Sequence, residues 1–151
     1  MMTTEIAALN TQTQALATAD PVTRRLQPTP GVGPVVALTF RAVVDDVARF
    51  GHAGQVSAAL GLVPREDSSA ERRQRGHITK AGPRELRSLL VQAAWSCWRS
   101  GHSGALRAWT DQLAARRGKR IAVVALARRL SRILYALWRD GATFEARTSA
   151  A

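Results

Sequence analysis

Residues 119–138 read KRIAVVALARRLSRILYALW. Leu126, Leu130, Ile133, Leu134 and Leu137 recur there at intervals of three and four, so they share one face of an α-helix. The same spacing returns upstream in Leu86, Leu89, Leu90, Ala93 and Cys97, in a stretch that Pro83 opens and that runs to about Ser100. Between these two stretches Ser103 is placed to N-cap a helix ending near Gly118, and Gly141 is placed to close the last helix. Further upstream Pro34 opens a mostly apolar helix over about 34–46, which Phe50-Gly51-His52 breaks. A short helix follows over about 53–60 and ends at Gly61. No segment alternates apolar and polar residues for any length, and no internal repeat is visible. The expected class is all-α: a helical domain with a helix–hairpin–helix, a long basic loop and three C-terminal helices.

The chain has 151 residues, a single domain's length, and is 46% hydrophobic, enough to bury a core. Its 22 cations face 11 acids for a formal charge of +11, and Lys80 and Lys119 are the only lysines among those cations. Such an arginine excess points to a polyanionic partner, because the planar guanidinium donates paired hydrogen bonds to phosphate. Solvated helix faces in an arginine-rich protein are the other reading. One cysteine, Cys97, excludes a disulfide framework and a thiolate-rich zinc site. His52, His77 and His102 lack metal-ligand spacing, so no metal site is expected. No apolar run approaches the ~20 residues needed to span a bilayer, and the N-terminus MMTTEIAALNTQTQ has no signal-peptide character, so the expected location is cytoplasmic, without membrane contact.

Residues 1–20 carry a thin stripe of Ile6, Leu9 and Leu16, too narrow to hold a helix alone in water, and read as the stub of a linking helix or coiled coil. Residues 21–145 form the expected domain and 146–151 an expected disordered tail. Within the domain, Leu26-x-x-x-Pro30-Gly31-Val32-Gly33-Pro34 has the form of a helix–hairpin–helix. Gly31 and Gly33 allow a tight turn and close backbone approach, and the following helix N-terminus favours an anion such as a DNA phosphate. A plain tight loop between two helices fits the same residues.

Residues 61–82 read as a long polar loop, a length that is usually functional or disordered. Arg72, Arg73, Arg75, Lys80, Arg84 and Arg87 crowd the end of that loop and the helix start behind Gly82-Pro83, where an anion could be held. A solvated basic loop is the alternative. Ser68-Ser69 sits among these cations; a hydroxyl there becomes a useful nucleophile only beside a base or in a strongly cationic pocket, and is otherwise loop filler. The last helix offers Arg128, Arg132 and Arg139, with Arg129 nearby, as a phosphate-tracking face or a merely solvated one. Trp95 and Trp98 lie off the main stripe, either in the core or at a second interface. The acids form no set suited to a two-metal nuclease.

Taken in order, Pro30-Gly31-Val32-Gly33-Pro34, Arg49-Phe50, Leu60-Gly61-Leu62-Val63-Pro64, Ser68-Ser69, Gly76-His77-Ile78-Thr79-Lys80-Ala81-Gly82, Leu86-Arg87-x-Leu89-Leu90, Gly118-Lys119-Arg120 and Ile133-Leu134-Tyr135 resemble the C-terminal half of the IS-one-ten insertion-sequence transposases. The resemblance covers roughly residues 20–145. It implies a DNA recombinase guided by a structured RNA. In that family a RuvC-like N-terminal domain supplies acids and binds magnesium, and a coiled coil joins it to a C-terminal domain whose serine attacks DNA. The serine position falls on Ser69, here followed by Ala70 where the family pattern has glycine. Nothing in the chain resembles the acidic domain. The resemblance therefore implies a C-terminal domain alone, with no cofactor of its own and magnesium arriving with the absent domain. Its expected partners are DNA, guide RNA, the RuvC-like domain or full-length transposase, and a second copy of itself. A non-catalytic nucleic-acid-binding module or inert remnant is the rival reading, and a helical interaction domain without nucleic acid a third. The catalytic reading expects the glycine turn, the serine loop and the Arg84 helix end to form one surface.

Overall fold

The computed structural model describes residues 2–62 and 84–145, and among these every regular element is helical. The helices are α1 (Met2–Ala19), α2 (Pro21–Leu26), α3 (Pro34–Val44), α4 (Ala53–Ala59), α5 (Arg84–Arg99), α6 (Ala105–Arg117) and α7 (Lys119–Asp140), with one 3-10 turn at Val47–Arg49. The all-α class is as expected. Pro83 and the tail 146–151 lie outside the described residues.

α7 is the central post. Leu126, Leu130 and Leu134 are fully buried on it, and it packs on α4, α5, α6 and α2. Its small residues Ala122, Ala125, Ala127 and Ser131 are also buried and let the neighbouring helices approach closely. On α5 the expected stripe is the buried one: Leu86, Leu90, Ala93 and Cys97 all face the core. Phe40 of α3 is buried and meets the Trp138 ring edge-on at 6.3 Å between centroids. Burial pushes the Cys97 thiol up to about 11, so it behaves as a small apolar filler.

Trp95 and Trp98 stack at 5.6 Å, and the Trp98 indole N–H donates to the Asp111 carboxylate of α6 at 2.7 Å. The pair thus fastens α5 to α6. α1 differs from the rest: Ala17 is its one buried residue, while Ile6, Leu9 and Leu16 stand exposed, as the thin stripe implies.

Two boundaries depart from expectation. α3 stops at Val44 because Asp45 takes φ 65°, ψ −59°, and the Asp46 N–H turns back to the Val44 carbonyl at 2.6 Å in a γ-turn. Ser103 does not cap α6. It is buried, with its hydroxyl donating to the Ser100 carbonyl at 2.9 Å, and Gly104 at φ 50° takes the cap position. A positive φ favours glycine there over the serine beside it.

Candidate nucleic-acid interface

The glycine turn is built from both sides. Asp20 N-caps α2, its carboxylate accepting from the Thr23 N–H at 2.9 Å and the Thr23 hydroxyl at 2.6 Å. Burial raises the Asp20 carboxyl, but the Thr23 hydrogen bonds and the Arg41 charge 3.3 Å away outweigh it and hold it below the usual carboxylate range. After Leu26, turns through Thr29 and Val32 reverse the chain into α3.

Gly31 sits at φ +85°, and a Cβ there would collide with the Ala93 carbonyl oxygen and lie 2.8 Å from the Cys97 nitrogen. The close approach that this glycine permits is therefore to the α5 backbone. Gly33 is extended, and a Cβ on it would meet nothing within 4 Å. Beside the turn, Gly33, Ser96, Ser100 and His102 line a cavity of ≈ 610 Å³. The Thr29 hydroxyl, which also borders it, is buried without a hydrogen-bond partner.

A second group forms at the other end of α5. The Arg87 guanidinium donates to the Leu60 carbonyl at 3.2 Å, and that of Arg128 to the Leu62 carbonyl at 3.4 Å. Both carbonyls lie at or just past the C-terminus of α4, where unpaired carbonyls carry partial negative charge and attract cations. Arg132, one turn beyond Arg128, is exposed. Burial lowers the pKa of Arg128, and repulsion from Arg132 lowers it further. Ser131 fixes this part of α7: its hydroxyl donates to the Arg128 carbonyl at 2.7 Å and lies 2.9 Å from the Ser57 hydroxyl of α4. Arg84 is exposed at the start of α5.

The structure thus brings Arg87, Arg128 and Arg132 together around α4, and it sets Gly31 and Gly33 apart from them. Arg87 and Cys97 are ten residues apart on one helix, about 15 Å along its axis. The single surface expected from the sequence is divided, in its described part, between two ends of α5. Ser69, Arg72, Arg73, Arg75 and Lys80 lie outside the described residues. Arg139 and Arg129, on the same helix, have partners of their own. Arg139 is ion-paired with Asp140 at 2.8 Å, a contact that raises its pKa, and Arg129 lies over the Trp109 ring at 4.7 Å.

Sequence reasoning passed over one set of cations. Arg117 ends α6, Gly118 turns the corner at φ +95°, and Arg120 lies in the first turn of α7. With Arg128 they border a groove of ≈ 710 Å³ whose apolar side is Leu113, Ile121 and Val124. The signal was present in Arg116-Arg117-Gly118-Lys119-Arg120, four cations around one glycine. Among the described residues, no three His, Cys, Asp or Glu side chains stand close enough to hold a metal ion, and no helix is long and apolar enough to cross a membrane.

A family model described as the IS116/IS110/IS902 transposase family matches residues 23–109, from α2 into α6. The chain belongs to this transposase family. Among similar proteins, a "Probable family 20 transposase" of Pseudomonas aeruginosa is 37% identical over 134 residues, which is 87% of this chain and 40% of that protein. The "Transposase for insertion sequence element IS1111A" of Coxiella burnetii is 37% identical over 126 residues, 82% of this chain and 35% of its own length. An uncharacterized 43.6 kDa protein of insertion element IS110 in Streptomyces coelicolor is 32% identical over 145 residues, 95% of this chain and 35% of its own. This transposase-family chain therefore spans well under half the length of these relatives.

Proposed function

We propose that this transposase-family chain acts in DNA transposition, holding a DNA backbone at the arginine end of α5 while Ser69 attacks a phosphodiester. The observation that carries the reading is the convergence of Arg87 and Arg128 on Leu60 and Leu62. Those carbonyls and the start of α5 bracket residues 63–83, the stretch that contains Ser69. Arg84 and Arg132 extend the same cationic group. Phosphate contacts of this kind position a duplex without reading its sequence.

In the proposed step the Ser69 oxygen forms a bond to phosphorus, and one bridging oxygen of the phosphodiester leaves and takes up a proton. Negative charge grows on the non-bridging oxygens, and fixed guanidinium groups stabilise it. Arg72, Arg73, Arg75 and Lys80 are assigned to that charge by their nearness in sequence. A RuvC-like partner domain with magnesium, a guide RNA and a second copy of the chain complete the proposed assembly, with α1 as the linking helix. The test is covalent trapping. The chain is incubated with element-end DNA and the acidic partner domain, then denatured. An adduct that Ser69→Ala abolishes, with DNA affinity unchanged, supports the step. No adduct in the presence of an intact partner leaves a binding module without a nucleophile.

A further inference from the structure

The corner between α6 and α7 combines two surface types that a phosphate backbone alone does not match. Ile121 is 46% exposed and Val124 41% exposed, three residues apart on one face of α7. Arg117 and Arg120 stand exposed beside them, and the partly buried Arg128 closes the groove. Among the described residues the ion pairs are Arg41 with Asp20 and Arg139 with Asp140, so no acid among those residues pairs with these three guanidinium groups. Arg128 is moreover held beside Arg132, a like charge that an incoming anion would relieve.

A nucleic-acid duplex offers phosphates to the arginines but keeps its base faces stacked inside, leaving Ile121 and Val124 bare. An unpaired strand offers both an anion and a flat apolar base face within one nucleotide. A second copy of this chain is a poorer match. Its own exposed apolar face, Ile6, Leu9 and Leu16 on α1, lies on a helix whose single acid is Glu5, a poor complement to the three arginines of the groove.

We infer that the groove between α6 and α7 holds single-stranded nucleic acid, with phosphates on Arg117, Arg120 and Arg128 and a base face against Ile121 and Val124. The inference rests on the proposed nucleic-acid function and adds which form of strand this groove takes.

The test is fluorescence anisotropy of the full chain with a labelled single-stranded DNA, an RNA of the same sequence, and the corresponding DNA duplex. Ile121→Ser/Val124→Ser is expected to weaken single-strand binding about fivefold, from the loss of two apolar contacts, and to leave the duplex unaffected. Arg117→Ala/Arg120→Ala is expected to reduce the salt slope for the single strand by about 1.4. Equal loss on both strands supports recognition of phosphate and base alone, and loss on one strand only names that strand as the occupant. Single Ile121→Ser, at a side chain already half in water, serves as a second variant if the pair alters the circular-dichroism melt. The inference is overturned if the serine variants bind single strands as the parent does, or if duplex binding weakens equally. It is also overturned if sedimentation shows that they change self-association instead. A parent chain that binds duplex but neither single strand overturns this inference alone, whereas no binding to any nucleic acid at low salt overturns the functional reading beneath it.

Discussion

The two ends of α5 use their special residues differently. At its C-terminal end the glycine turn is pressed into the fold: Gly31 lies against Ala93 and Cys97, and Thr29 and Val32 are buried around it. At its N-terminal end, Arg84 and Arg132 stand in solvent and Arg87 and Arg128 reach the Leu60 and Leu62 carbonyls just past α4. A residue made necessary by packing shows itself through a collision when it is changed. A residue placed for a partner shows itself through affinity lost while stability is kept. On the proposed function, the turn serves the architecture and the arginine end serves the interface.

Substitutions can break or sharpen that division. The largest effect is expected at the turn. Gly31→Ala combines a left-handed backbone with a collision against backbone atoms of α5, and should cost roughly 2–5 kcal/mol in denaturant unfolding. Gly33→Ala, with open space and an extended backbone but a poorer N-cap for α3, should cost about 1 kcal/mol. Equal effects at the two glycines would dissolve the contrast.

At the arginine end, stability should reside in the serines. Ser131→Ala removes hydrogen bonds to the Arg128 carbonyl and to Ser57 and leaves Ser57 short of a buried partner, for about 1–3 kcal/mol by the same assay. Asp20→Ala, which removes the cap in front of the turn, should cost about 1 kcal/mol. Because the Asp20 carboxyl is held below its ordinary value when folded, its contribution is present above about pH 4 and is lost as pH falls through the folded value. Unfolding of parent and Asp20→Asn should therefore converge in acid. The smallest stability effect is expected at Arg132→Ala, within about 0.5 kcal/mol, since the side chain is exposed and repels Arg128.

The helices were legible in the sequence because their apolar residues keep a three-four spacing: the stripes of Leu86 to Cys97 and Leu126 to Leu137 are the ones that face the core. The corner residues were less legible. Ser103 has the chemistry of a cap, yet the backbone at the next residue takes φ 50°, which selects Gly104. The site was half legible. Arg87, Arg128 and Arg132 could be singled out as cations, but their convergence depends on α4 ending between α5 and α7, a contact more than 60 residues apart for Arg128 and Leu62. Gly31 carried the opposite difficulty, because a glycine that admits a helix backbone reads the same as one that admits a phosphate.

The most direct measurement is the salt dependence of duplex DNA affinity for three proteins: the parent chain, Arg128→Ala/Arg132→Ala, and Gly33→Asp. The aspartate suits the N-cap of α3 and places a negative charge where a phosphate at the turn would sit. If the arginine end holds the backbone, the double variant lowers the slope of log affinity against log salt by about 1.8, and Gly33→Asp binds as the parent does. Loss of binding in Gly33→Asp, with the parent's slope kept by the arginine variant, would contradict the assignment.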